Sequence, residues 1–122
     1  LVDRILEGPD DEIGERIVRN FIGIWDPIGG GQFAAMVRSV TSHDQVAEVL
    51  RGFFVGTLLK RVVAHLAVPD GDLRATLVAS QIFGMGMVRY VVRFEPLASA
   101  DVETMVTAIA PNLQRYLTGD LG

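Results

Sequence analysis

Apolar residues recur along this chain at intervals of three and four, the period of an α-helix, and no segment alternates convincingly over the length of a strand. Ile13, Ile17, Phe21 and Trp25, flanked by Val18, Ile22 and Ile24, make one such stripe. It opens with Asp11, Glu12 and Glu15, where acids suit the positive end of a helix dipole, and it is bounded by Gly8–Pro9 and by "DPIGGG". Phe33, Met36, Val37 and Val40 predict a short helix over 32–40. Ser42 with Gln45 fits a capping box for a longer one, whose stripe runs through Val46, Val49, Leu50, Phe53, Phe54, Leu58, Val62 and Leu66 as far as Ala67. "VPDGD" separates it from a helix over 72–94 that Pro96 stops. Ser99 is the expected cap of the last helix, in which Val102, Met105, Val106, Ile109, Leu113 and Leu117 face inward and Gly119 closes the end. Leu1–Glu7 reads as the end of a helix begun upstream. Without repeats or low-complexity linkers, the pattern predicts one all-α domain over 1–122, a bundle of five helices.

The helix over 72–94 lacks the polar side of a surface helix. Ser80, Gly84, Met87, Val88 and Val91 share one side, Ile82, Met85 and Val92 a second, and Phe83, Gly86 and Tyr90 a third. Such a helix must be covered on several sides. Lipid is an unsuitable cover, because the apolar run from Ile82 ends at Arg89 and a spanning helix needs roughly 18 residues.

Composition points the same way. Counting the 13 glycines in and the 2 tyrosines out raises the 49% hydrophobic share to about 58%, against about 45–50% for ordinary domains. The surplus calls for a self-pairing surface, an internal cavity, or both. A net charge of −4 argues against nucleic-acid binding by this chain alone, since a duplex binder needs a basic stripe. With no cysteine there is neither disulfide nor thiolate metal site, and no segment has the form of a secretion signal; a cytoplasmic setting is compatible.

Catalytic chemistry is sparse. His43 and His65 have no acidic partner at ligand spacing, so no metal and no cofactor is expected. Gly29–Gly31 follow no strand and precede no lysine, and "GMG" at 84–86 lies inside a helix, so neither reads as a nucleotide loop. Asp10, Asp11, Glu12 and Glu15 suit a solvated helix entrance, and Ser80 has no base beside it. The chain does not read as an enzyme.

Aromatic and methionine side chains on separate helices form the more informative set. Phe21, Trp25, Phe33, Met36, Phe53, Phe54 and Met85, with the amide of Gln81, are the candidate lining of an apolar ligand pocket, although each also suits a plain core. Ser80, Gly84, Met87, Val88 and Val91, joined by Met105, Ile109 and Leu113 of the last helix, are the candidate dimer seam. Gly84 and Gly86 each cost about 1 kcal/mol relative to alanine in a helix interior, a cost that close helix packing would offset. Pro111 inside the last helix removes a backbone bond and is expected to bend it. Two rival classes stand beside this reading: a dimeric helical interaction module with a solid core, and a small helical enzyme.

"LVASQIFGMGMVRYVVRFEPLASADVETMVTAIAPNLQRYLTGDL" (77–121) closely resembles the C-terminal regulatory domain of actinobacterial tetracycline-repressor-like (TetR) transcription repressors, and "GERIVRNFIGIWD" (14–26) is similar to the first helix of that domain. The resemblance implies that the last two helices pair with those of a second copy. It implies further that earlier helices surround a hydrophobic effector, and that operator DNA is contacted through an N-terminal helix-turn-helix domain that this sequence does not contain. Leu1–Glu7 would be the stub of the connecting helix. Arg89, Arg93 and Glu95 are expected to form a structural charge network, the alternative being an arginine that meets an effector carboxylate.

Overall fold

The computed structural model describes residues 2–29, 31–42, 48 and 58–122, with residues 40–42 described by their backbone alone. Six α-helices are present among them: α1 (Val2–Leu6), α2 (Ile13–Trp25), α3 (Gly31–Ser42), α4 (Lys60–Leu66), α5 (Gly71–Gly86) and α6 (Val102–Thr118). No strand occurs among the described residues. A 3₁₀ turn at Asp10–Glu12 leads into α2, a π-helical segment at Met87–Val92 continues α5, and a second 3₁₀ turn at Leu97–Ser99 precedes α6.

The stripes foreseen in the sequence become the core. Ile13, Ile17, Val18 and Ile22 of α2 pack with Val62 and Val63 of α4, Ala75, Val78, Ile82 and Met85 of α5, and Met105, Val106, Leu113 and Leu117 of α6. The most extensive packing is between α2 and α6, and one glycine makes it possible. A Cβ on Gly14 would lie 2.7 Å from the Ala110 carbonyl oxygen and 2.8 Å from the Gln114 nitrogen, so no larger residue fits between these backbones. Gln114 fastens the same crossing: its Oε1 accepts from the Gly14 N–H at 2.8 Å, and its Nε2 donates to the Asp10 carbonyl at 2.9 Å.

Helix ends differ in detail from the expectations. Asp101, not Ser99, caps α6: its carboxylate accepts from the Thr104 N–H at 2.7 Å, whereas the Ser99 hydroxyl donates to Glu95. The α5 and π-helical run ends at Arg93, which takes the left-handed conformation (φ 60°) before Pro96 is reached. Helix α6 continues through Pro111, which lies on its exposed side. The proposed cap at Ser42 and Gln45 and the stripe from Val46 to Phe54 lie outside the described residues, as does His43.

By length and composition the run from Gly71 to Val92 could cross a membrane. Its two arginines show it instead as a core helix of this fold. Arg74 is buried and donates to the carbonyls of Pro69, Tyr116 and Gly119, and Arg89 is bound to groups of this chain in the same manner.

Candidate ligand pocket and outer helix face

An apolar cavity of about 260 Å³ lies between α1, α2, the start of α4 and α5. Helix α1 contributes Ile5, and α2 contributes Ile17, Asn20, Phe21, Ile24 and Trp25, which recur on one face because they are three and four residues apart. Leu58 and Leu59 close one side, and Val78, Ala79, Ile82 and Phe83 of α5 another. The volume is a little under the roughly 300–1,000 Å³ of ordinary small-molecule sites. Among the described residues that line it, only Asn20 and the indole of Trp25 carry polar groups and none is ionisable. Ile24 is 47% exposed and marks the edge where the cavity meets solvent.

Behind this wall stands an aromatic cluster with Phe33 at its centre. The Phe33 ring lies 5.2 Å from that of Trp25, 5.7 Å from Tyr90, 5.9 Å from Phe21 and 6.1 Å from Phe83. The first and third are edge-on contacts, the arrangement that the ring quadrupoles favour. Gly86 provides the space, since a Cβ there would lie 2.4 Å from Phe33 Cζ. The helix-propensity cost of Gly86 is thus offset by the seat it gives the central ring.

An ion pair between buried Arg89 and half-buried Asp26 adjoins the cluster. Arg89 donates from Nε and one terminal nitrogen to the two oxygens of Asp26, at 3.0 and 2.9 Å, and the Tyr90 hydroxyl donates to the same carboxylate. The other terminal nitrogen of Arg89 donates to the Leu97 and Ala100 carbonyls. Hydrogen bonding from Arg89, with help from Tyr90, holds the Asp26 carboxyl below its ordinary pKa against the opposing effect of burial. Burial, reinforced by Asp26, pushes the Tyr90 hydroxyl up, so it stays protonated. The cluster therefore joins the end of α2, the π-helical segment and the entry to α6.

Several expected positions need correction. Of the candidate pocket residues, Phe21 and Trp25 line the cavity. Phe33 is 1% exposed and serves as the packing centre, while Met85 belongs to the core beneath the cavity wall. Met36 and Gln81 are half-buried but do not reach the cavity, and Phe53 and Phe54 lie outside the described residues. Of the candidate seam, Met105 and Leu113 are 3% and 0% exposed within this chain's own core, so a second copy has no access to them. Ile109 is half-buried. Arg89, Arg93 and Glu95 do not form a mutual network: Arg89 pairs with Asp26, Arg93 reaches the Gly29 carbonyl, and Glu95 accepts from Ser99. His65 pairs with Asp10 at 3.0 Å, and no group of three or more metal-ligating side chains is found among the described residues.

Along the outer side of α5 and its π-helical continuation, Ser80 and Gly84 are exposed and Met87, Val88 and Val91 half-buried. Leu73, 53% exposed, and Leu77 extend this face toward the start of α5. From Leu73 to Val92 the only charged residues are Arg74 and Arg89, both buried, which leaves an uncharged outer face about 27 Å long.

Residues 11–117 match the sequence profile of the tetracyclin repressor-like, C-terminal domain family. The chain belongs to this TetR-like C-terminal domain family. A crystal structure of a TetR-family regulator from Streptomyces coelicolor A3 superposes with a TM-score of 0.70 and 32% identity, covering 96% of this chain and 78% of that one. No curated protein matches the sequence significantly. The domain is thus of the regulatory type found in TetR-family transcription regulators, and its all-helical fold agrees with the resemblance read from 77–121.

Proposed function

We propose that this TetR-like domain senses an uncharged hydrophobic small molecule and pairs with a second copy of itself, in the service of a cytoplasmic transcriptional repressor. The observation that carries the first half is the cavity, whose described lining is apolar apart from the Asn20 amide and the Trp25 indole N–H. An empty apolar space of this size forfeits the dispersion contacts of its lining, and a ligand restores them. The uncharged outer face of α5 supports the second half, because long exposed apolar stripes on soluble domains mark interaction sites. Derepression would follow if the ligand favoured one arrangement of α1 over another. Ile5 touches both the cavity and the core, and α1 would lead toward a DNA-binding domain.

Trp25 is the single tryptophan of the chain and lies on the cavity wall. Titration with a panel of uncharged lipophiles that do not absorb at its excitation wavelength should shift its emission, and the same compounds should raise the melting temperature. Binding at 100 times Kd stabilises by about 2.7 kcal/mol, well within the range of a thermal scan. A panel in which no compound moves either signal refutes the sensing role and favours an interaction module with an inert core.

A further inference from the structure

The outer face of α5 slips out of register where the helix widens. On an α-helix continued from Ser80 and Gly84, Met87, Val88 and Val91 fall on the same side, and Val92 lies about a third of a turn from Ser80. The accessible side chains follow a different course: Met87, Val88 and Val91 are half-buried, whereas Val92 is 48% exposed. The cause is the π-helical segment Met87–Val92, at whose end the Val88 carbonyl accepts from the N–H groups of Arg93 and Phe94. Exchanging a π ladder for an α ladder moves the residues beyond it by one position, about 100° and about 1.5 Å.

π-Helical turns are rare, so contacts outside the helix must hold this one open. They converge on Asp26. Arg89 and Tyr90 are consecutive, both are buried, and both donate to that one carboxylate, while Arg89 also donates to the Leu97 and Ala100 carbonyls. Asp26 itself ends α2, its N–H bonded to the Ile22 carbonyl, and directly follows Trp25 of the cavity wall. The Tyr90 ring lies 6.4 Å from that of Phe21, another wall residue.

We infer that the Asp26–Arg89–Tyr90 cluster is a latch: it holds the π turn and so withholds the far end of the pairing face. Release lets 87–92 rewind as α-helix, which costs the bonds to Asp26, restores the regular ladder and brings Met87, Val88 and Val91 into line with Ser80 and Gly84 for a second copy. This rests on the pairing role proposed above and supplies its regulation. A ligand that displaces Phe21 or Trp25 acts on the latch through its immediate neighbours.

Asp26→Asn and Tyr90→Phe weaken the latch from its two sides without altering the outer face. Analytical ultracentrifugation of the native chain and both variants measures the dimer dissociation constant, and NMR proton contacts between residues four and five apart along 87–92 report the ladder. Asp26→Asn should tighten pairing about five-fold, the order expected from bringing roughly half a valine side chain more into the seam, and Tyr90→Phe should tighten it by a smaller factor. Both should show α-type contacts in place of π-type ones. Val18→Ala, a core substitution elsewhere on α2, is the control and should not tighten pairing. A cluster with a purely structural role predicts pairing that is unchanged or weaker in both variants, and that result overturns the latch. So does an α ladder that forms without tighter pairing, or equal tightening in the control. If Asp26→Asn does not fold, Tyr90→Phe decides alone. If neither the native chain nor any variant associates even at millimolar concentration, the pairing role itself falls and the latch with it.

Discussion

Gly86→Ala should destabilise the domain although alanine is the better helix former. The backbone at Gly86 is helical (φ −62°, ψ −41°), so the exchange by itself gains about 1 kcal/mol in helix propensity. Against this, the new methyl would lie 2.4, 2.8 and 2.9 Å from three atoms of the Phe33 ring. Relief requires the ring to retreat by about 1 Å, a distance set by normal carbon contacts of about 3.5–4.0 Å. It has nowhere to go, since four other rings surround it and it is almost fully buried. Overpacking of this kind costs about 3 kcal/mol at the upper end of its usual range, for a net loss of about 2 kcal/mol. Gly23→Ala is the matched control, because Gly23 is exposed on α2 and a Cβ there meets nothing within 4 Å, so the same exchange should stabilise by up to about 1 kcal/mol. Urea unfolding followed by circular dichroism at one fixed protein concentration measures both. Midpoints that move in the same direction would refute the steric account, as would a Phe33→Leu background in which the Gly86→Ala penalty is undiminished.

Three further outcomes follow from other parts of the molecule. Gly84→Leu adds a large side chain where a Cβ meets nothing within 4 Å, so the monomer should fold normally while light scattering shows dimer giving way to monomer; an unchanged dimer would remove this face from the seam. Asp26 has a folded-state pKa held below its unfolded value, so its contribution is complete above about pH 4 and is lost as pH falls through the folded value. Asp26→Asn should accordingly flatten the acid limb of stability against pH, and at pH 7 it should cost about 3 kcal/mol by leaving Arg89, 8% exposed, without its counter-charge. Urea midpoints from pH 3 to 7 that run parallel in the two proteins would contradict this.

Local periodicity made the helices legible, and the site was legible only where it lay on such a stripe. Phe21 and Trp25 were readable as cavity wall because the spacing of the α2 stripe puts them on its inner side. Asn20 sits on the same side, yet an amide beside an apolar stripe looks like a solvated flank until the opposing helix is in place. Asp26 illustrates a second limit. As a residue it reads as the helix stop before Pro27, and its pairing with Arg89 spans 63 positions with no periodic trace. Met105 and Leu113 show a third: their spacing fits an inward face and a seam alike, and a side chain sealed in its own core cannot serve both.

Helix α5 explains why so apolar a helix is tolerated, for each of its sides has a different cover. Arg74, Ala75, Val78, Ile82 and Met85 pack into the core, and Gly86 admits Phe33. Ala79 and Phe83, with Val78 and Ile82, form the cavity wall, and Leu73, Leu77, Ser80 and Gly84 form the outward face. One rigid rod therefore carries the proposed ligand surface on one side and the proposed pairing surface on the other. If pairing too favours one position of α5, a ligand that binds more tightly to that position shifts the pairing equilibrium, and pairing changes ligand affinity by the same factor. The Asp26–Arg89–Tyr90 cluster tightens that link, because it ties the Trp25 end of the cavity to the π-helical continuation of the same rod. Coupling between the two surfaces then requires no long chain of intermediaries, only a displacement of α5 itself.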